Sequence, residues 1–363
     1  MNKISICTVC MNRLHHLQQT LPVNIAENPA HPNLEFVVLN YNSKDGMDDW
    51  IKTHMSHHIE SGLVKYYKTE EPEYFSLAHS KNMVTKLATG DIICNVDADN
   101  YAGPGYVKWV EECFAATGPN TLITTIRKDS IPYRDQGGKL CFSRDLFLAV
   151  NGYDESLIGY GMDDVDLSNR MENAGGRRVF IEQDKYLRCI EHGFDERLSN
   201  YKYPNNLESL YLCVPETTGN KIKILYLFKD NTVAEMSYDF DASQRNNLVI
   251  TYVGWSVGKD GRREANFRRV NEHLLLTFLD QPAVAYREET TGDLYVAGTG
   301  SIYWKKIIKG DHMYLDAVMG YNECLNRRTF VKNDVSKAPI NTNGWGKGIV
   351  YLNFDSANSC PVN

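Results

Sequence analysis

Long apolar runs are missing from this 363-residue chain. No stretch approaches the roughly 18 residues of a membrane-spanning helix. An excess of positive charge is missing too: 39 Lys and Arg face 46 Asp and Glu, for a net charge of -7. No basic field would gather the phosphates of a nucleic acid, and none is expected as a partner. The start, Met1-Asn2-Lys3-Ile4-Ser5, shows no basic stretch followed by an apolar core and a small-residue cleavage site, so a cytoplasmic location is expected. The nine cysteines are an odd number and form no framework. Cys7 and Cys10, the close pair, stand three apart in a strand-like run and so face opposite ways. Buried, reduced thiols are expected rather than a zinc site. Strict repeats, low-complexity tracts and a glycine between Cys7 and Arg13 are likewise lacking.

What is present is an alternation of strand and helix signals. Ile4–Cys10 and Leu34–Leu39 are short apolar runs. Between them Leu14, Leu17, Leu21 and Ile25 recur at helical spacing, with Pro22 expected to kink or split that helix. A helix around 48–61, a strand at 63–68, a helix from Leu77 capped by Ser76, a strand from Ile92 to Val96, a helix near 105–116 and a strand at 121–126 follow. This order predicts a mostly parallel sheet with helices on both faces.

One stretch organises the rest: Gly90-Asp91-Ile92-Ile93-Cys94-Asn95-Val96-Asp97-Ala98-Asp99-Asn100. Residues i and i+2 of a strand share a face, so Asp97 and Asp99 are expected to project together from its carboxyl end. Ligands bind at that end of open α/β sheets, and two hard oxygen ligands there suit Mg²⁺ or Mn²⁺ with a diphosphate. A second dense stretch runs from Gly137-Gly138 through Ser143-Arg144-Asp145-Leu146-Phe147 and Asn151-Gly152-Tyr153 to Gly159-Tyr160-Gly161-Met162-Asp163-Asp164-Val165-Asp166-Leu167. Leu167, Met171 and Ala174 continue at helical spacing, which sets Asp163 and Asp164 at a helix N-terminus. The macrodipole there favours ionised carboxylates. Glu191-His192-Gly193 follows a further strand.

Beyond about residue 200 the runs are short and strand-like, at 222–228, 232–238, 248–255, 294–297, 302–304 and 349–354, with one helical stretch at about 265–279. Two domains are therefore expected, a catalytic one over 1–217 and a β-rich accessory domain over 218–363. Trp255, Tyr303, Trp304 and Trp345 are candidates for stacking on sugar rings, against an ordinary core role.

The segment Ser5-Ile6-Cys7-Thr8-Val9-Cys10-Met11-Asn12-Arg13 and the run from Ser76 to Asn100 resemble family 2 of the inverting nucleotide-sugar glycosyltransferases, which have the GT-A fold. The part from Gly137 to Leu167 resembles the acceptor side of β-1,4-galactosyltransferases. The resemblance implies an α/β, Rossmann-like GT-A domain that uses Mn²⁺ or Mg²⁺ and a UDP-sugar, with UDP-galactose or UDP-GalNAc as first choices. It implies Asp99 with Asp97 as metal ligands and His192 as a further one. Asn42 or Asp45, with Thr8 and Arg13, would hold the uridine. Lys81 and Asn82 match the basic-Asn pair before the paired aspartates. Tyr160 stands where the galactosyltransferases have Trp, Asp164 matches the catalytic base, and Asp163 the adjacent acceptor-binding acid. The acceptor implied is a glycan, with a lipid-linked carrier and peripheral membrane contact left open. The chain departs from the pattern at Asn40-Tyr41-Asn42, where an Asp-rich turn is usual, at Met162, which replaces Gly, and at Asp163, which replaces Glu. Two rivals stand beside this reading. One is a nucleotidyltransferase, which the missing glycine after the first strand opposes. The other is a non-catalytic glycan-binding protein, which the retained acids oppose. The transferase reading would fall if Asp97, Asp99 and His192 lay more than about one ligand sphere apart and Asp164 faced elsewhere.

Overall fold

The computed structural model describes residues 2–29, 31–126, 137–213, 221–239, 263–270, 273–278, 282–287, 290–297, 302–310, 312–355 and 357–363. Two units divide the chain: residues 1–193 with 329–363, and residues 194–328.

In the first unit the order is β1 (Ile4–Cys10), α1 (Leu14–Ala26), β2 (Leu34–Tyr41), α2 (Met47–His54), α3 (Ser56–Glu60), β3 (Val64–Thr69), α4 (Leu77–Leu87), β4 (Ile92–Asn95), α5 (Tyr106–Thr117), β5 (Thr121–Thr124), β6 (Leu140–Ser143), α6 (Arg144–Ala149), α7 (Asp163–Asn173) and β7 (Arg177–Phe180). The second unit holds α8 (Phe194–Leu198), α9 (Lys202–Asn206), β8 (Leu207–Cys213), β9 (Lys221–Phe228), β10 (Thr232–Asp239), β11 (Arg263–Val270), β12 (His273–Phe278), β13 (Pro282–Arg287), β14 (Leu294–Ala297) and β15 (Ile302–Ile307). The chain then passes through α10 (His312–Ser336) to β16 (Gly348–Leu352) and β17 (Ser359–Val362).

Among the described residues, nine strands of the first unit form one sheet in the order β17-β16-β3-β2-β1-β4-β6-β5-β7. β1 is flanked in parallel by β2 and β4, and β2 pairs in parallel with β3. β6 runs antiparallel between β4 and β5. All eight residues of β2 are buried, as expected of a strand covered on both faces. The two faces are visible in the cysteines: Cys10 packs in the cluster with Leu17, Phe36 and Val107, and Cys7 in the opposite one with Val37, Met83 and Phe142. The expected opposition of these two thiols holds, and none of the nine cysteines is in a disulfide. Gly90 is required before β4, because a Cβ there would lie 2.5 Å from Ser5 Oγ and 2.8 Å from Ser5 N.

Four expectations are corrected. Pro22 does not split α1, which runs unbroken around it. The stretch at 265–279 is not helical but forms β11 and β12, paired antiparallel from Ala265↔Phe278 to Val270↔His273. A long helix, α10, stands where no helix was expected. The division at 217/218 also lies elsewhere: β8 already belongs to the second unit's sheet, while β16 and β17 return to the first. The expected strand at 248–255, with Trp255, lies outside the described residues.

Among the described residues of the second unit, β8 to β15 close a barrel in the order β10-β11-β12-β13-β14-β15-β8-β9. Tyr211, Leu225, Leu227, Leu294 and Trp304 pack in its core. Trp304 and Trp345 are both buried, so these indoles are core residues, whereas Tyr303 is 45% exposed. Among the described residues no helix is long and apolar enough to cross a membrane.

Candidate active site

The site is built at the carboxyl end of β4. The strand stops at Asn95, and Asn100 N donates to Asp97 O at 2.9 Å, so a turn carries Asp97 and Asp99. Their carboxylates stay close enough for the Asp99 charge to act on Asp97, but each has its own partner.

Asp97 turns towards α4. Its Oδ1 lies 3.1 Å from the Lys81 ammonium, which also lies 3.3 Å from Asp164 Oδ1. The Lys81 side chain is only 5% exposed, so one buried cation joins two acids that are 67 residues apart. Burial alone would release its proton, yet the Asp164 and Asp97 charges overcome burial and hold Lys81 firmly protonated. Burial pushes Asp97 up, aided by the charges of Asp99 and Asp164, despite Lys81. Gly138 closes over the pair. A Cβ on it would stand 2.0 Å from Asp97 Oδ2 and 2.9 Å from Lys81 Nζ, so this position needs glycine.

Asp99 meets His192, whose Nε2 lies 2.8 Å from Asp99 Oδ2. Asn100 Nδ2 donates to the other oxygen at 2.7 Å. Burial pushes the Asp99 carboxyl up, but the hydrogen bonds from His192 and Asn100 outweigh it and hold Asp99 below the usual range. Its partner His192 is raised, first by the hydrogen bond to Asp99 and against its own burial. The pair is built by backbone as well, since Ile190 N donates to Asp99 O at 2.8 Å. The expected metal triad is thus half met. Asp99 and His192 are in contact, but the ligand atoms of Asp97, Asp99 and His192 do not all come within 4.8 Å of one another. The residue that sequence reasoning missed is His16, buried on α1 with its ring centroid 5.2 Å from that of His192. Its signal was the pair His15-His16 straight after the first strand's polar turn.

Asp163 and Asp164 open α7, as expected. Met162 before them has φ +71°, a left-handed conformation that costs a side chain about 1–2 kcal/mol. The two acids differ. Asp164 accepts from Lys81 and, at 3.0 Å, from the Tyr153 hydroxyl. Both oxygens of Asp163 are buried with no hydrogen-bond partner. Burial first, and the neighbouring Asp164 charge second, push Asp163 well above the carboxylate range. The helix N-terminus therefore does not lower this carboxyl as expected, because burial without a partner is the larger effect. Asp166 points away, into bonds with Arg170 at 2.7 Å and Asn333 at 3.1 Å.

Thr8, Arg13, Asn42 and Asp45 gather at the carboxyl ends of β1 and β2. Thr8 Oγ1 donates to Val96 O at 2.8 Å and ties β1 to the turn after β4. Asp45 Oδ2 accepts from Leu14 N at 2.8 Å, capping the first turn of α1 from another loop. Asn42, at φ +59°, donates to Pro72 O at 2.7 Å and accepts from Lys44 Nζ at 2.5 Å. Asn82 faces away from the crevice and holds Tyr153 through both backbone groups. Tyr160 is half-buried between Gly159 and Gly161, both at positive φ.

Residues 5–157 match the family described as glycosyl transferase family 2, and residues 127–193 match the N-terminal domain of galactosyltransferase. No curated protein sequence matches the chain. Among solved structures, a mannosyltransferase from Pyrobaculum calidifontis in complex with GDP-Man and Mn²⁺ is similar at 19% identity and TM-score 0.42, over 52% of this chain and 56% of that one. TarS 1–349 of S. aureus in complex with UDP is similar at 14% and 0.42, over 51% and 59%. GalNAc-T7 with UDP, GalNAc and Mn²⁺ is similar at 11% and 0.44, over 85% and 82%. The chain spans a little over half the length of the first two.

Proposed function

We propose that this chain, glycosyltransferase-like from residue 5 to residue 193, moves a hexose or N-acetylhexosamine from a UDP-sugar to a hydroxyl of a glycan acceptor. One observation carries the reading: Lys81, Asp97, Gly138, Tyr153 and Asp164, drawn from five segments, meet within hydrogen-bonding range at the end of β4.

Asp164 is the general base. It takes the proton from the acceptor hydroxyl as that oxygen attacks the anomeric carbon, and displacement from the opposite side inverts the configuration. Lys81, 3.3 Å from this carboxylate, orients it and adds a fixed positive charge near the departing diphosphate. Asp99 and His192 would hold Mn²⁺ or Mg²⁺, with Asp97 beside them. The donor chemistry fits, because an ionised carboxylate and an imidazole in mutual contact are ligands such ions accept, and such ions commonly keep water and phosphate in their other positions. A divalent ion there would neutralise the leaving nucleotide. Thr8, Arg13, Asn42 and Asp45 would border the uridine, and Tyr160 would stack on a sugar ring. Asp163, buried beside Asp164, would border the acceptor.

The test is release of UDP from UDP-galactose, UDP-GalNAc and UDP-GlcNAc with Mn²⁺ and a panel of glycan acceptors. Asp164→Asn and Asp99→Ala should each lower the rate by about 10²-fold or more, the usual worth of a general base. Binding of sugars without turnover of any donor would instead identify a non-catalytic glycan-binding protein.

A further inference from the structure

We infer that Tyr153 is the positioning residue of the base, and that the returning segment 333–349 is what holds Tyr153 in place. The inference rests on Asp164 being the base. The Tyr153 hydroxyl accepts from Asn95 Nδ2 at 3.0 Å and donates to Asp164 Oδ1 at 3.0 Å. Accepting on one side and donating on the other fixes the direction of its single proton. Burial pushes the phenol far up, so that proton stays in place across the working pH range. Asp164 Oδ1 is thereby held between two donors, the hydroxyl and the Lys81 ammonium. Without the hydroxyl, the ammonium alone would draw the carboxylate towards Asp97.

A positioning hydroxyl is useful only if its own backbone cannot move. Two asparagines see to that. Asn82 brackets the residue, accepting from Tyr153 N at 2.8 Å and donating to Tyr153 O at 2.9 Å. The second comes from 188 residues further along the chain. Asn341 Nδ2 donates to Tyr153 O at 2.6 Å and to Asn151 O at 2.8 Å, while its Oδ1 accepts from Glu155 N at 3.2 Å. One side chain thus satisfies three backbone groups of a single loop. The same segment contributes more: Gly346 N donates to Glu155 Oε1 at 2.6 Å, and Asn333 bridges Asp154 at 2.7 Å and Asp166 of α7 at 3.1 Å. Both ends of the link from Tyr153 to the α7 acids are therefore fastened by residues that follow the barrel in sequence.

The experiment compares Tyr153→Phe, Asn341→Ala, their combination and Asp164→Asn in Mn²⁺-dependent UDP release, with melting temperature and donor KM measured alongside. Asp164→Asn is expected to be inactive. Tyr153→Phe keeps the ring and is expected to lower kcat about 10–100-fold with donor KM unchanged, the usual effect of losing a group that orients a functional one. Asn341→Ala is expected to lower kcat by a smaller factor, and the double variant to be no worse than Tyr153→Phe alone, since the two act in series. An active Asp164→Asn would overturn the assignment of the base itself. An inactive Asp164→Asn with an undiminished kcat in Tyr153→Phe would overturn this inference alone. So would a crystal structure of Tyr153→Phe with Asp164 unmoved, or kcat losses that multiply in the double variant.

Discussion

Glu35 offers a measurement of what holds the sheet together at the end opposite the site. It lies on β2 directly across from Ser5 of β1. Its side chain is 2% exposed. Oε1 accepts from Ser5 Oγ at 2.6 Å and from Thr89 N at 2.7 Å, while Oε2 lies 2.9 Å from both Lys3 and Lys65. Burial would raise this carboxyl, but the bonds from Lys65, Ser5, Thr89 and Lys3 overcome it and hold Glu35 at about 2. The folded state therefore binds its proton more weakly than the unfolded chain does. The stabilisation is complete above the unfolded value of 4.5 and is lost as pH falls towards 2. A depression of that size corresponds to about 3 kcal/mol, and access of solvent to the two lysines lowers it towards about 2. In Glu35→Gln that part of the acid dependence should vanish. Amide hydrogen exchange in β1 and β2, followed from pH 6 to pH 3, reads this for the first unit alone. Because Glu35 is still largely ionised at pH 3, the wild type should lose about 1–2 kcal/mol of protection over that interval that the variant does not lose. Equal losses in both proteins would refute the reasoning and shift the cause to other carboxylates.

Two further outcomes concern the site. Gly138→Ala places a methyl where Asp97 Oδ2 now lies, 2.0 Å away, so the Lys81–Asp97 contact must open. UDP release should fall at least about tenfold while the melting temperature changes little, because the obstructing atom is the end of a side chain; an unchanged rate would show that this contact is dispensable. Lys81→Met leaves the Asp97 and Asp164 carboxylates, 36% and 17% exposed, facing each other without their cation. It should destabilise the first unit by about 1–3 kcal/mol, less than a fully buried pair would cost, and Mn²⁺ should restore more stability to the variant than to the wild type, both read by thermal unfolding. A neutral variant would mean that the buried ion pair contributes nothing net.

How much of this was legible depends on whether the governing interaction is local. β1, β2 and β4 are apolar runs of strand length, buried on both faces, and such runs announce themselves. The cap of α4 by Ser76 is equally local. The failures share one cause, tertiary pairing. The residues of β11 and β12 include good helix formers, yet they pair with each other and with β10 and β13 in a closed barrel, and that pairing outweighs local preference. The different partners of Asp97 and Asp99, Lys81 and His192, come from segments far away in sequence. The burial that lifts Asp163 depends on everything packed around it and on nothing in the Asp-Asp-Val-Asp motif itself.

The first unit's discontinuity carries this argument furthest. The run 349–354 reads as one more strand of the β-rich part, but β16 pairs with β3 through Tyr351↔Lys68 and Leu352↔Tyr67. That edge pairing brings Asn341, Trp345 and Gly346 back to the loop at 151–155. Lys347 O there lies 2.9 Å from His79 Nε2, and the Trp345 ring sits 5.4 Å from Phe147. The barrel is thus an insertion within the first unit's sequence, and the acids of α7 are braced by segments on both sides of that insertion in sequence. A chain cut before residue 329 would keep Lys81, Asp97, Asp99, Asp164 and His192. It would lose every bond from Asn333, Asn341 and Gly346 that holds the loop bearing Tyr153. The complete set of site residues is therefore not the complete site.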